Sequence, residues 1–154
     1  LTSPATTGGD VTQTTNGVQA QTASETEIVR DFLESFAAGD LDHALSLLAD
    51  DVAYTNVSLP TIHGAAAVER LFRRFERRGG HFGVAFHNVA ADGAVVMTER
   101  TDVLGVGRLR AEFWVCGTFE VHDGRISVWR DYFDWLDITR AFARGALRAL
   151  TGRR

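Results

Sequence analysis

Apolar positions recur at two periods along this chain, and the change from one to the other separates helices from strands. Ile28, Val29, Phe32, Leu33 and Phe36 recur at helical spacing. Ser24, with Glu27 three residues on, forms a capping-box pattern that opens this first helix, and Gly39 ends it. Asp40 can cap a second short helix carrying Leu41, Ala44, Leu45 and Leu48. Val52 to Val57 reads as a short strand, and Ser58 to His63 as a loop around Pro60. Gly64 to Arg78 predicts a third helix. Its inward face is Val68, Leu71, Phe72 and Phe75, its outer face Arg70, Arg73, Arg74, Arg77 and Arg78, and Gly79-Gly80 stops it.

From there the period is two. Phe82 to Ala91 predicts a strand, Asp92-Gly93 a hairpin, Ala94 to Val106 a second strand and Gly107 a break. Arg108 to Val121 follows as a third strand. Asp123-Gly124 marks another hairpin, and Arg125 to Trp135 the last strand. A closing helix runs from about Asp137 to Leu150, with Arg140, Arg144 and Arg148 in one stripe. Helices followed by a meander of long strands describe an α+β domain. Long strands covered by helices on one face curl, and the curled sheet can enclose a pocket. The basic faces of the third and last helices read as solvated surfaces, with anion or membrane-surface binding as the sharper alternative.

Composition narrows the class. At 154 residues the chain is one domain's worth, large enough for a real core with an internal cavity. Residues 1 to 22 are rich in Thr, Gly, Gln and Ser and are expected as a flexible tail, leaving 23–151 as a single domain. A net charge of −4 gives no basic excess for a nucleic-acid backbone. The single cysteine, Cys116, cannot form an internal disulfide and reads as a small buried hydrophobe. No apolar run approaches the roughly 20 residues of a membrane span. The first residues show no charged head followed by an apolar core, so no leader is expected and the chain reads as cytoplasmic.

The candidate chemistry sits in the strands. Asp102 and Asp131 each stand near an arginine within apolar sequence, at Arg100-Thr101-Asp102 and Arg130-Asp131. A charge in a buried strand is costly unless paired, so these groups form either a structural ion-pair network or a working acid and base. Alternation places Arg100, Asp102 and Leu104 on one face of their strand. Phe113 and Val115 share a face of the next, and Trp129, Asp131 and Phe133 share a face of the last. If these faces look inward, the pocket has apolar walls around two carboxylates and a guanidinium, as small-molecule sites do. Tyr54-Thr55-Asn56 adds groups able to hold a water. The five histidines (His43, His63, His81, His87 and His122) show no metal-ligand spacing, so no metal site is assigned. His63 adjoins the Tyr54 segment but receives no role. Neither a G-x-S-x-G elbow nor a phosphate-cradling loop is present.

Tyr54-x-Asn56, Glu99-Arg100-Thr101-Asp102-Val103-Leu104 and Trp129-Arg130-Asp131-Tyr132-Phe133-Asp134 together resemble the limonene-1,2-epoxide hydrolase family. The similarity runs from about Glu25 to Ile138, and Phe113 to Val121 resembles its actinobacterial branch. The resemblance implies an NTF2-like cone, the fold shared by nuclear transport factor 2 and ketosteroid isomerase: a curved mixed sheet packed against three to four helices around a deep apolar pocket. It implies a homodimer, which sedimentation showing only monomer would remove, and no cofactor. Carried over by position, it makes Asp131 the general base, Asp102 the general acid and Arg100 the bridge between them, with Tyr54 and Asn56 holding the water. The walls, Leu104, Phe113, Val115, Trp129, Phe133 and, from the third helix, Leu71 and Phe75, would bind a terpene-, lipid- or sterol-like epoxide and deliver a vicinal diol. A ketosteroid isomerase-like or polyketide cyclase-like enzyme on the same fold is the alternative.

Overall fold

The computed structural model describes residues 11–151. Helix α1 (Val11–Ala38) is followed by α2 (Leu41–Ser46), β1 (Leu48–Asn56), the short β2 (Ile62–His63) and α3 (Ala65–Arg77). Four strands then run in succession: β3 (Gly80–Asp92), β4 (Val95–Val106), β5 (Leu109–His122) and β6 (Arg125–Tyr132). Helix α4 (Trp135–Thr151) closes the chain. The α+β class and the mixed curved sheet of the sequence reading are the observed architecture.

The six strands form one sheet in the order β2-β1-β6-β5-β4-β3. The strands β3 to β6 are the antiparallel meander that the alternation predicts. Strand β1 joins the sheet parallel to β6, and this long-range pairing sets Tyr54 beside Trp129 and Asn56 beside Asp131. Register shifts between Phe86 and Asn88 and between Glu120 and Val121 bend the strands and deepen the curl. Asp123 and Gly124 both take positive φ, 51° and 74°, as a two-residue primed hairpin requires.

The concave face carries the core. Val29, Phe32 and Leu33 of α1 pack with Val52, Val96, Phe119, Ile126 and Trp129 of the sheet and with Val68 of α3. A smaller cluster, Ala111, Phe113, Val115 and Ala141, joins α4 to β5.

Several boundaries differ from the periodic reading. Helix α1 begins at Val11, not Ser24, so the segment 11–22 expected as tail is helical; residues 1–10 lie outside the described part. A helix already anchored by packing extends at little cost per residue, and no proline interrupts it. Leu48 belongs to β1, because α2 ends at Ser46 and the chain turns directly into the sheet. The last strand stops at Tyr132, since Asp134 takes over as a cap: its Oδ1 accepts the Leu136 N–H at 2.8 Å. Leu71, expected inward, is 40% exposed. Cys116 lies on the outer face of β5 and is only half-buried. Arg73 on the basic face of α3 pairs with Asp42 and Glu69, the behaviour of a solvated face.

Candidate active site

A cavity of about 310 Å³ opens between the concave sheet and helices α3 and α4. Its floor is polar. Arg100 on β4 is fully buried and reaches four oxygen acceptors on three inner-facing side chains of the sheet. Its Nε donates to Asp102 Oδ1 at 2.9 Å, and Nη2 donates to Asp102 Oδ2 at 3.1 Å and to Asp131 Oδ1 at 2.7 Å. Its Nη1 donates to Thr98 Oγ1 at 2.9 Å. The alternation of β4 produces this fan, because Thr98, Arg100 and Asp102 are successive inward positions of one strand. Asp131 arrives from β6, across Gly117 of β5.

Burial dominates the electrostatics. It pushes the Asp102 carboxyl up to about 6, against the opposing pull of Arg100. Burial likewise raises Asp131; the Arg100 charge and hydrogen bond, and the nearby Trp129 indole, offset this only in part. The indole N–H of Trp129 is itself buried and forms no hydrogen bond among the described residues. Burial lowers the proton affinity of Arg100, but the charges of Asp131 and Asp102 outweigh it and the guanidinium stays protonated. One guanidinium balances one carboxylate, so the trio is neutral when the two acids share a single proton. A neutral trio is the least costly state at this depth.

Tyr54 and Asn56 stand beside Asp131. Asn56 Nδ2 donates to the Tyr54 hydroxyl oxygen at 2.8 Å. That leaves the phenolic proton to serve as a donor, and burial, reinforced by Asp131, keeps the phenol un-ionised. The tyrosine ring is held against Trp129, with centroids 4.1 Å apart.

The cavity brings together the residues singled out from the sequence. Tyr54, Asn56, Asp102 and Asp131 line it, as do the apolar Leu104, Phe113, Val115, Trp129 and Phe133, with Leu71 and Phe75 at its α3 edge. Arg100 lies beneath the surface, behind the carboxylates it bridges. His63 is exposed and does not line the cavity. The sequence reading missed the α4 wall, Trp135, Ile138 and Phe142, whose helical spacing was the available signal. It also missed Phe36, Phe72 and Phe82 as lining groups, and the buried Thr98. No cluster of three or more His, Cys, Asp or Glu side chains among the described residues could hold a metal ion. No described helix is long and apolar enough to cross a membrane.

Comparison with known proteins identifies the class first. A protein of Catenulispora acidiphila with a ketosteroid isomerase-like fold superposes with a TM-score of 0.67 at 14% identity, covering 76% of this chain and 92% of that one. An NTF2-like protein of Burkholderia pseudomallei gives 0.67 at 22% identity, covering 77% and 97%. At such identity the likeness shows the fold alone. Residues 23–144 match the family model for the limonene-1,2-epoxide hydrolase catalytic domain, and the chain belongs to that family of epoxide hydrolases. It is 48% identical over 117 residues to the epoxide hydrolase EphG of Mycobacterium tuberculosis, covering 76% of this chain and 78% of that protein. The structure of an M. tuberculosis epoxide hydrolase of the same type superposes with a TM-score of 0.81 at 43% identity, covering 85% of this chain and 98% of that one.

Proposed function

We propose that this epoxide hydrolase adds water to an apolar epoxide in one push–pull step and releases a vicinal diol. Asp131 takes a proton from a water held by Tyr54 and Asn56, and that water attacks a ring carbon. The C–O bond opens as Asp102 delivers its proton to the departing oxygen. An epoxide is strained, but its alkoxide is a poor leaving group, so the proton must arrive as the bond breaks. Positioned acid and base groups contribute about 10²–10⁴-fold, and fixing the water adds a proximity gain.

The observation that carries this reading is the Arg100 bridge. It holds two carboxylates at the floor of an apolar cavity, with Asn56 in register beside only one of them, Asp131. That neighbour favours Asp131 as the base. Asp102 suits the acid because its Oδ2 takes the longer of the two Arg100 bonds, 3.1 Å, and loses least when it carries a proton. The wall residues Leu104, Phe113, Val115, Trp129, Phe133, Leu71 and Phe75 fit a terpene-, lipid- or sterol-like epoxide. The homodimer that the family resemblance implies would have a suitable surface in Met97, Trp114 and Tyr132, exposed on the outer face of the sheet.

The pH profile tests the roles. The acid works only while protonated, so kcat/KM for limonene oxide is expected to fall about tenfold per pH unit above roughly pH 6, where Asp102 loses its proton. A profile flat or rising from pH 6 to pH 8 would remove Asp102 from the acid role.

A further inference from the structure

The guanidinium that joins the two acids is itself held by groups to which no role has been given. Its Nη1 edge points away from both carboxylates and donates to Thr98 Oγ1 at 2.9 Å, and Thr98 is 1% exposed. The ring of Phe119 lies alongside, 5.9 Å from the guanidinium carbon. The remaining side is open because Gly117 has no side chain. Gly117 pairs with Thr98 on β4 and with Asp131 on β6, so it occupies the point where the three strands converge under the bridge. A Cβ built there would collide with Arg100 Nη1 and would stand 2.7 Å from Thr98 Oγ1 and 2.9 Å from the Phe119 ring. The guanidinium therefore occupies the space that any other residue at 117 would fill.

We infer that Thr98 and Gly117 are positioning residues for the reaction, fixing the plane of the Arg100 guanidinium so that its Nε–Nη2 edge serves both Asp102 and Asp131. Neither reaches the cavity surface, so they act only through Arg100. A guanidinium is planar with its donors in a rigid fork. Anchoring Nη1 on the hydroxyl sets the direction of Nε and Nη2, and hence how the two acids share their proton. Without the anchor the fork can turn in its slot, and its bond to Asp131 is the exposed one because that contact is single rather than double. The charged groups acting on the guanidinium are Asp131 from β6 and Asp102 from β4. Tyr54 from β1 feels the same trio, and the inward side chains of β5 nearby, Val115 and Phe119, are apolar.

The inference rests on the acid–base roles proposed above, and the test separates the two. Thr98→Val keeps the shape and removes the acceptor, Thr98→Ser keeps the hydroxyl, and Gly117→Ala fills the slot. The carboxyl resonances of Asp102 and Asp131 are titrated by ¹³C NMR in each variant, and epoxide turnover is measured beside them. A hydrogen bond to a charged donor is worth enough that Thr98→Val is expected to lower kcat by about tenfold or more, with KM within about twofold of wild type. The midpoints of the carboxyl pair move upward by about half a pH unit or more, because a loosened guanidinium stabilises the ionised acids less. Thr98→Ser restores both readouts, whereas Gly117→Ala loses about a hundredfold in kcat with a cooperative melt retained. Unchanged midpoints and kcat in folded Thr98→Val would overturn the inference, as would wild-type values in Gly117→Ala, which decides the matter should Thr98→Val not fold. A wild-type chain that turns over no epoxide would sink the catalytic reading, while the titrations would still show whether Thr98 sets the acids.

Discussion

Replacing Asp131 by asparagine is expected to lower kcat by about 10²–10⁴-fold, the contribution of a positioned base, while the protein stays folded. Asparagine keeps the size of the side chain and can still accept from Arg100 Nη2, which now bonds Asp131 at 2.7 Å. It cannot take a proton from water. Asp131 is buried, and its ionised form is penalised by that burial despite Arg100, so losing the charge costs the fold little. A melting temperature near or above that of wild type, together with the lost rate, would mark a group kept for chemistry at the expense of stability. A large drop in melting temperature would mark a structural network. Steady-state turnover and thermal unfolding of the one variant decide between them, and near-wild-type turnover would rule out Asp131 as the base.

Arg100→Met produces the largest expected change in stability. The guanidinium donates to both carboxylates and is fully buried, so its removal strands two acids at the cavity floor. Breaking a buried pair from one side costs about 3–5 kcal/mol. The loss depends on pH in a definite direction. Asp102 already has a folded-state pKa of about 6, above its unfolded value, and without Arg100 both acids rise further. A carboxyl raised in this way stabilises the fold below its unfolded pKa of about 4, and that stability is lost as pH rises through the folded value. Urea unfolding should therefore show the greatest deficit at pH 8 and partial recovery near pH 4.5. Equal stability of variant and wild type at pH 8 would contradict the bridge as the group that makes burial of both acids tolerable.

The period-two pattern of β4, β5 and β6 is strong enough to put Arg100 with Asp102, Phe113 with Val115 and Trp129 with Asp131 on shared strand faces, and the fold turns all three faces to the concave side. Each strand is long and its hairpins carry their own signals, so local information suffices there. The pairing of β1 with β6 had no such signal. Its partners are far apart in sequence and parallel, yet it is the contact that puts Asn56 and Tyr54 beside the proposed base. The division of roles between the acids came from family resemblance, since spacing alone treats Asp102 and Asp131 alike. The start of α4 was obscured because Tyr132-Phe133-Asp134-Trp135 continues the alternation of β6, and only the Asp134 cap shows that the strand has ended. Gly117 reads in sequence as one more small residue in an apolar strand. Its meaning appears only when the Arg100 side chain, folded back from the neighbouring strand, is seen against it.

The central claim, direct attack of a water activated by Asp131, is tested most directly by a single turnover in ¹⁸O-labelled water, with enzyme in excess over limonene oxide or a sterol epoxide. Diol carrying one ¹⁸O from that first turnover is the predicted result. Unlabelled diol from the first turnover, with the label found instead in a carboxylate of the protein, would mean that an ester intermediate forms and would contradict the one-step account.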